Sequence, residues 1–161
     1  MIVLGVDPGL RKLGVAIYED GELVHADTVR TAMHVGTGPA CWLSAAKAVR
    51  LFCRGFQVDV LAIEVMQVDS RTKGAIIGDI LELSGVVGAV AATVAAPVLA
   101  SYTPAEWKGQ RPKDVEHRYL KRVLSPVELN AVGILGHDAW DAIGIGAHYL
   151  RSTCHIPRWI R

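Results

Sequence analysis

Two short apolar runs, IVLGVD at residues 2–7 and VDVLAIEV at residues 58–65, each carry an acid at or near the end. Runs this short and continuously apolar suit strands buried on both faces of a sheet. A carboxylate at the end of such a strand costs several kcal/mol unless a cation or dense hydrogen bonding compensates it. Between the runs, Trp42, Leu43, Ala46, Val49, Phe52 and Cys53 recur at helical spacing from about Pro39 to Arg54, before Gly55. A strand, a helix and a second strand predict a parallel pair. Asp7 and Glu64 are then expected at the same sheet edge.

The rest of the chain fills in an α/β plan. LGVAIYE and LVHADTVRT read as two more strands joined by a tight EDGE hairpin at Gly21, giving an antiparallel meander with the first strand. QVDSRTKG leads into a long helix from Lys73 to Ala95, rich in Gly and Ala, and PVLASY reads as a fifth strand. TPAEWKGQR reads as a loop and RPKDVEHRYLKRVL as a basic helix. Ser125 and Pro126 open a segment that breaks down at Gly133 and Gly136, and HDAWDAIGIGAHYLR is a final helix. The pattern predicts one α/β unit over residues 1–161: a mixed five-stranded sheet, three strands antiparallel and the others parallel, with helices on both faces. The last ~10 residues read as a basic tail. By itself this order leaves several α/β folds open.

Ser84 to Ala100 is uncharged, but short and broken by Pro97; it reads as a buried helix followed by a buried strand rather than a membrane span. The start MIVLGVDPGL has no basic leader before its apolar run, so no signal peptide is expected. Cys41, Cys53 and Cys154 are scattered and odd in number, which points to a reducing cytoplasm rather than a disulfide framework.

Net charge is only +1, yet unevenly placed: residues 1–107 hold 8 Lys/Arg against 11 Asp/Glu, and residues 108–161 hold 9 against 5. Lys108, Arg111, Lys113, Arg118, Lys121 and Arg122 fall in one stretch. Were four carboxylates neutralised by two divalent cations, the surface met by a nucleic acid would carry about +5.

Asp138 and Asp141 lie three apart on the final helix, on one face, where two carboxylates repel without a cation between them. Together with Asp7 and Glu64 they make an all-oxygen group, which selects Mg²⁺ or Mn²⁺ over zinc. Two such ions about 4 Å apart suit phosphodiester hydrolysis without a protein nucleophile. Simpler roles exist for each acid. Asp7 could cap the turn at Pro8 and Gly9, and Glu64 could pair with Arg71 or Lys73; Asp138 could favour the helix dipole, with His137 at the cap.

The combination GVDPGLRKLGVAI, AIEV, a basic loop and HDAWDAIGIGAH resembles the RuvC family of Holliday-junction resolvases, with their RNase H-like fold, over nearly the whole chain. The resemblance implies a Mg²⁺-dependent endonuclease acting on branched DNA, with Asp7, Glu64, Asp138 and Asp141 as catalytic metal ligands. It implies that Lys108 and Lys113 serve the scissile phosphate or nearby backbone, with Arg111, Arg71 and Lys73 as further DNA contacts. It also implies a homodimer through the 73–95 helix, which would explain the Gly/Ala-rich face from Gly74 to Ala92; a tight helix–sheet contact within the chain explains that face equally well. One departure concerns the aromatic that relatives carry shortly after the glutamate: EVMQVDSR offers only Met66 and Val68 as apolar wedges. GVDPG with LGVAI also resembles the phosphate loop of actin-like sugar kinases and the YqgF-type RNase H-like nucleases. The kinases need a second domain, and YqgF-type proteins generally lack the strand-end glutamate. A non-catalytic DNA-binding relative would be expected to have lost some of the four acids.

Overall fold

The computed structural model describes residues 1–32, 37–66 and 74–154. In chain order the elements are β1 (Ile2–Asp7), β2 (Lys12–Glu19), β3 (Glu22–Arg30), α1 (Pro39–Phe52), β4 (Val60–Glu64), α2 (Gly74–Val94) and β5 (Val98–Tyr102), followed by α3 (Pro104–Trp107), α4 (Lys113–Val123), α5 (Pro126–Val132) and α6 (His137–Ser152). The start expected for the long helix at Lys73 and the basic tail beyond Cys154 lie outside the described residues.

The sheet order is β3-β2-β1-β4-β5, with β1, β2 and β3 antiparallel and β4 and β5 parallel to β1. The β2–β3 turn places Asp20 at φ 49° and Gly21 at φ 87°, the pair of positive values that a two-residue turn compatible with strand twist requires. Val6 pairs with Ile63, so Asp7 and Glu64 are the next residues at the same edge, as the parallel connection predicts.

Each sheet face carries its own core. On one, Leu4, Val6, Leu13, Val15 and Ile17 meet Ala45, Ala46 and Val49 of α1 and Val86 and Val90 of α2. On the other, Val3, Ala16, Tyr18 and Ala62 meet Trp107 and the apolar face of α6. Fully burying each large aliphatic side chain there contributes roughly 1.5–3 kcal/mol. Helix α6 lies almost on the strand backbones because two strand positions lack a side chain. A Cβ on Gly5 would come 2.3 Å from the Ala142 carbonyl oxygen, and one on Gly14 would come 1.8 Å from that of Asp138.

Three expectations change. Strand β5 is an edge strand with one neighbour, β4, and Val98 and Leu99, on its two faces, are exposed rather than buried. Helix α2 is long and apolar enough to cross a membrane by length and composition, and the stretch from Ser84 expected to be buried is covered on one side only: Val86 and Val90 are buried, while Ser84, Gly88 and Ala92 are exposed, as are Ile77 and Leu81 before it. The segment read as a loop after β5 contains α3, opened by a Thr103–Glu106 capping box.

Candidate active site

The architecture brings the four acids named from sequence to one place. Asp7 and Glu64 end neighbouring parallel strands, and the close seat of α6 on Gly5 and Gly14 sets Asp138 and Asp141 above that edge. Asp7 shows the effect most clearly. Burial, and then the charges of Glu64, Asp141 and Asp138, push its pKa up to about 8 against the opposing pull of Lys113. Glu64 is also raised, first by burial, with Asp141 adding to the effect and Trp107 and Lys108 opposing it.

Each of the other acids has a defined partner. Asp141 is 2% exposed, and both its oxygens are engaged: Lys113 Nζ donates to Oδ2 at 2.5 Å, and His117 Nε2 lies 2.9 Å from Oδ1. Lys12 Nζ sits 2.6 Å from Asp138 Oδ2. Trp107 Nε1–H donates to Glu64 Oε2 at 2.6 Å. Burial works against the charge of Lys113, but the hydrogen bond and charge of Asp141, with Asp7 and Glu64 behind it, outweigh that and raise its pKa.

Of the other residues singled out from sequence, Lys108 is half-buried with its ammonium 4.8 Å from the Trp107 ring centre. Arg111 turns to Glu116, a buried carboxylate 3.1 Å away, which gives it a structural partner beside the site. Met66 is exposed and, with Pro8, Val65, Leu83, Ser84 and Val87, lines a small cavity of about 200 Å³ between the ends of β1 and β4 and helix α2. His137 is the first residue of α6, whose N-cap is Gly136, and its ring lies 5.5 Å from that of His117. Arg71, Lys73 and Val68 lie outside the described residues.

Among the described residues, no three His, Cys, Asp or Glu side chains are gathered closely enough to enclose a metal ion. Ammonium, imidazole and indole groups occupy oxygens of Asp141, Asp138 and Glu64. The donor chemistry nevertheless fits a hard cation. All four donors are carboxylates, and Asp7 is held near neutrality by burial and by the charges of Glu64, Asp141 and Asp138, a penalty that a bound divalent ion would relieve.

No family model matches the chain. Among curated proteins, the crossover junction endodeoxyribonuclease RuvC of Bifidobacterium longum subsp. infantis is 31% identical over 98% of this chain and 80% of its own length. The chain belongs to the RuvC family. A second RuvC, from Bifidobacterium longum strain DJO10A, is 30% identical with the same coverage. The RuvC fold is shared with Thermus thermophilus RuvC in complex with Holliday junction substrate (22% identity, 94% of this chain and 95% of that one, TM-score 0.62). It is also shared with the yeast mitochondrial Holliday junction resolvase Ydc2 (13% identity, 98% and 78% coverage, TM-score 0.53).

In this RuvC-family chain, three residues at the site escaped the sequence reading. Lys12 lies in the turn-strand motif that drew attention to Asp7, but nothing in its spacing connects it to Asp138. His117 follows Lys113 by one helical turn, so the two share a face of α4; that spacing was the available signal. Trp107 sits beside Lys108 in the segment read as a loop.

Proposed function

We propose that this RuvC-family chain is a structure-selective endonuclease that cuts Holliday junctions and related branched DNA by hydrolysing one phosphodiester in each strand it attacks, leaving 5′-phosphate and 3′-hydroxyl ends. The observation that carries the reading is the meeting of Asp7, Glu64, Asp138 and Asp141 at one sheet edge beside Lys113 and Lys108. Its support from relatives is their printed identity: crossover junction endodeoxyribonuclease for the Bifidobacterium proteins, and a Holliday junction complex for the Thermus one.

Asp7, Glu64, Asp138 and Asp141 are the residues that would hold two divalent cations, Mg²⁺ with Mn²⁺ as a substitute. Bound there, such ions supply charge neutralisation for the scissile phosphate and lower the pKa of an attacking water. The chain's own groups do the rest. Lys113 and Lys108 offer ammonium groups at the rim for backbone phosphates, and Arg111 adds positive charge beside them. Arg71 and Lys73 belong to the same basic contact set in this reading. Met66, exposed beside Pro8, offers an apolar contact for a base at the open centre of a junction.

The reading includes a homodimer through α2. Supporting it, Ile77 and Leu81 are exposed on that helix, and Cβ atoms added at Gly78 and Gly88 would meet open space, so packing among the described residues does not call for these small residues. Gly85 has an internal reason: a Cβ there would come 2.2 Å from the Trp42 ring. A folding unit of residues 1–161 acting in the cytoplasm, off the membrane, completes the proposal; three free cysteines agree with a reducing compartment.

The test is a gel assay of the purified protein on four-way, three-way, flapped and linear DNA, with and without Mg²⁺. Cleavage confined to branched DNA and dependent on the metal supports the reading. Metal-independent cutting, or equal cutting of linear duplex, would overturn it.

A further inference from the structure

We propose that Trp107 is the positioning residue for Glu64, holding that carboxylate by its indole N–H while its ring spaces β4 from the helix that carries Asp138 and Asp141. The inference rests on the metal-dependent reading above and deepens it.

Trp107 is 2% exposed and heads the large, fully buried side chains of the protein. Its N–H donates to Glu64 Oε2 at 2.6 Å. The opposite side of the ring lies on α6 at Gly144, where a Cβ would come 2.6 Å from Cζ3. Gly144 follows Asp141 by three residues, about one helical turn. One rigid side chain therefore touches the strand-borne half of the site and backs onto the helix-borne half. Its own place is set by α3, where the Glu106 carboxylate accepts from Thr103 N at 2.7 Å and from Thr103 Oγ1 at 2.9 Å.

The chemistry of the donor matters. Asp141 and Asp138 are held by ammonium groups, which compete with a metal for negative charge. An indole N–H is neutral and can only donate, so it orients Glu64 while leaving its charge for a cation. The Trp107 ring also carries Lys108, whose ammonium sits 4.8 Å from its centre. The competing account is that a buried indole needs some acceptor and Glu64 merely provides it.

Trp107→Phe separates the two, because it retains an aromatic ring and removes the N–H. Calorimetric titration of the full chain with Mn²⁺, without DNA, is expected to show affinity falling roughly tenfold or more in Trp107→Phe. Lost cleavage is expected to be recovered by raising Mn²⁺. Wild-type affinity in Trp107→Phe, alongside lost binding in Asp7→Asn, overturns the role of Trp107 and spares the metal reading. Failure of the wild type to bind Mn²⁺, or equal binding by Asp7→Asn, overturns both. Should Trp107→Phe not fold, the indole N–H resonances of the wild type serve instead. One of them is expected to move on Mg²⁺ addition and to shift in Glu64→Gln; no indole resonance responding to Glu64→Gln overturns the proposal.

Discussion

Lys113 and Asp141 link two helices at the site: an ammonium from the first turn of α4 donates to a carboxylate that is 2% exposed on α6. His117, one turn further along α4, takes the other oxygen of the same carboxylate. Helix α4 therefore reaches the acids through two residues on one face, and the basic segment and the acidic cluster are parts of one assembly.

Replacing Lys113 with Ala removes both a rim cation and a partner of Asp141. Cleavage is expected to fall by about 10-fold or more, since a charged hydrogen bond contributes roughly 1.5–3 kcal/mol. Junction binding is expected to show a shallower salt dependence by about one unit of slope. Rate and slope both matching the wild type in a salt series would remove Lys113 from the site.

His117→Ala leaves a buried carboxylate oxygen without its imidazole partner. A loss of about 1–3 kcal/mol is expected, read as a Tm lower by some 2–4 °C per kcal/mol. Thermal unfolding in chelator measures it, and a Tm equal to that of the wild type would show that water replaces the ring at no cost.

Asp7→Asn is expected to reduce cleavage by on the order of 10³-fold while leaving junction binding largely intact, as gel shift and cleavage assays on one preparation would show. Loss of binding instead would make Asp7 a structural residue. The same variant carries a pH signature. Folded Asp7 keeps its proton up to about 8, whereas the unfolded group releases it near 3.8. Between those values the folded state binds more protons, so metal-free stability falls as pH rises through that window. Asp7→Asn is expected to escape this fall and to melt on the order of 5 °C above the wild type at pH 8 in chelator. A wild-type Tm that stays level or climbs over the window would contradict the raised value.

Gly14→Ala places a Cβ 1.8 Å from the Asp138 carbonyl oxygen unless α6 moves. Lifting the start of α6 carries Asp138 away from Asp7, so cleavage is expected to drop about 10-fold or more alongside a destabilisation of about 1–3 kcal/mol. Full activity at wild-type Tm would mean that the helix does not depend on that close approach.

Leu81→Glu puts a charge on the exposed face of α2, where Leu81 is 65% exposed. The variant is expected to run as a monomer in light scattering while the wild type runs as a dimer. A dimeric variant would move the interface elsewhere.

Much of this was legible in the chain itself. The apolar runs ending in Asp7 and Glu64, with a helix between them, determined a parallel pair and a shared edge, because strand direction follows from the connection. The spacing of Asp138 and Asp141 determined that both lie on one helix. What stayed hidden depended on distances between elements far apart in sequence. Periodicity says that a segment is apolar; it does not say whether another element covers each of its faces, and so β5 and one side of α2 were read as buried when they are exposed. Likewise, no local pattern connects Trp107 to Glu64, Lys12 to Asp138 or His117 to Asp141. The contacts to Asp138 and Asp141 arise only once Gly5 and Gly14 let α6 settle onto the sheet, and that of Trp107 only once α3 lies beside β4. Hydrogen bonds at fixed range need that packing to exist first, and packing is a property of the folded whole.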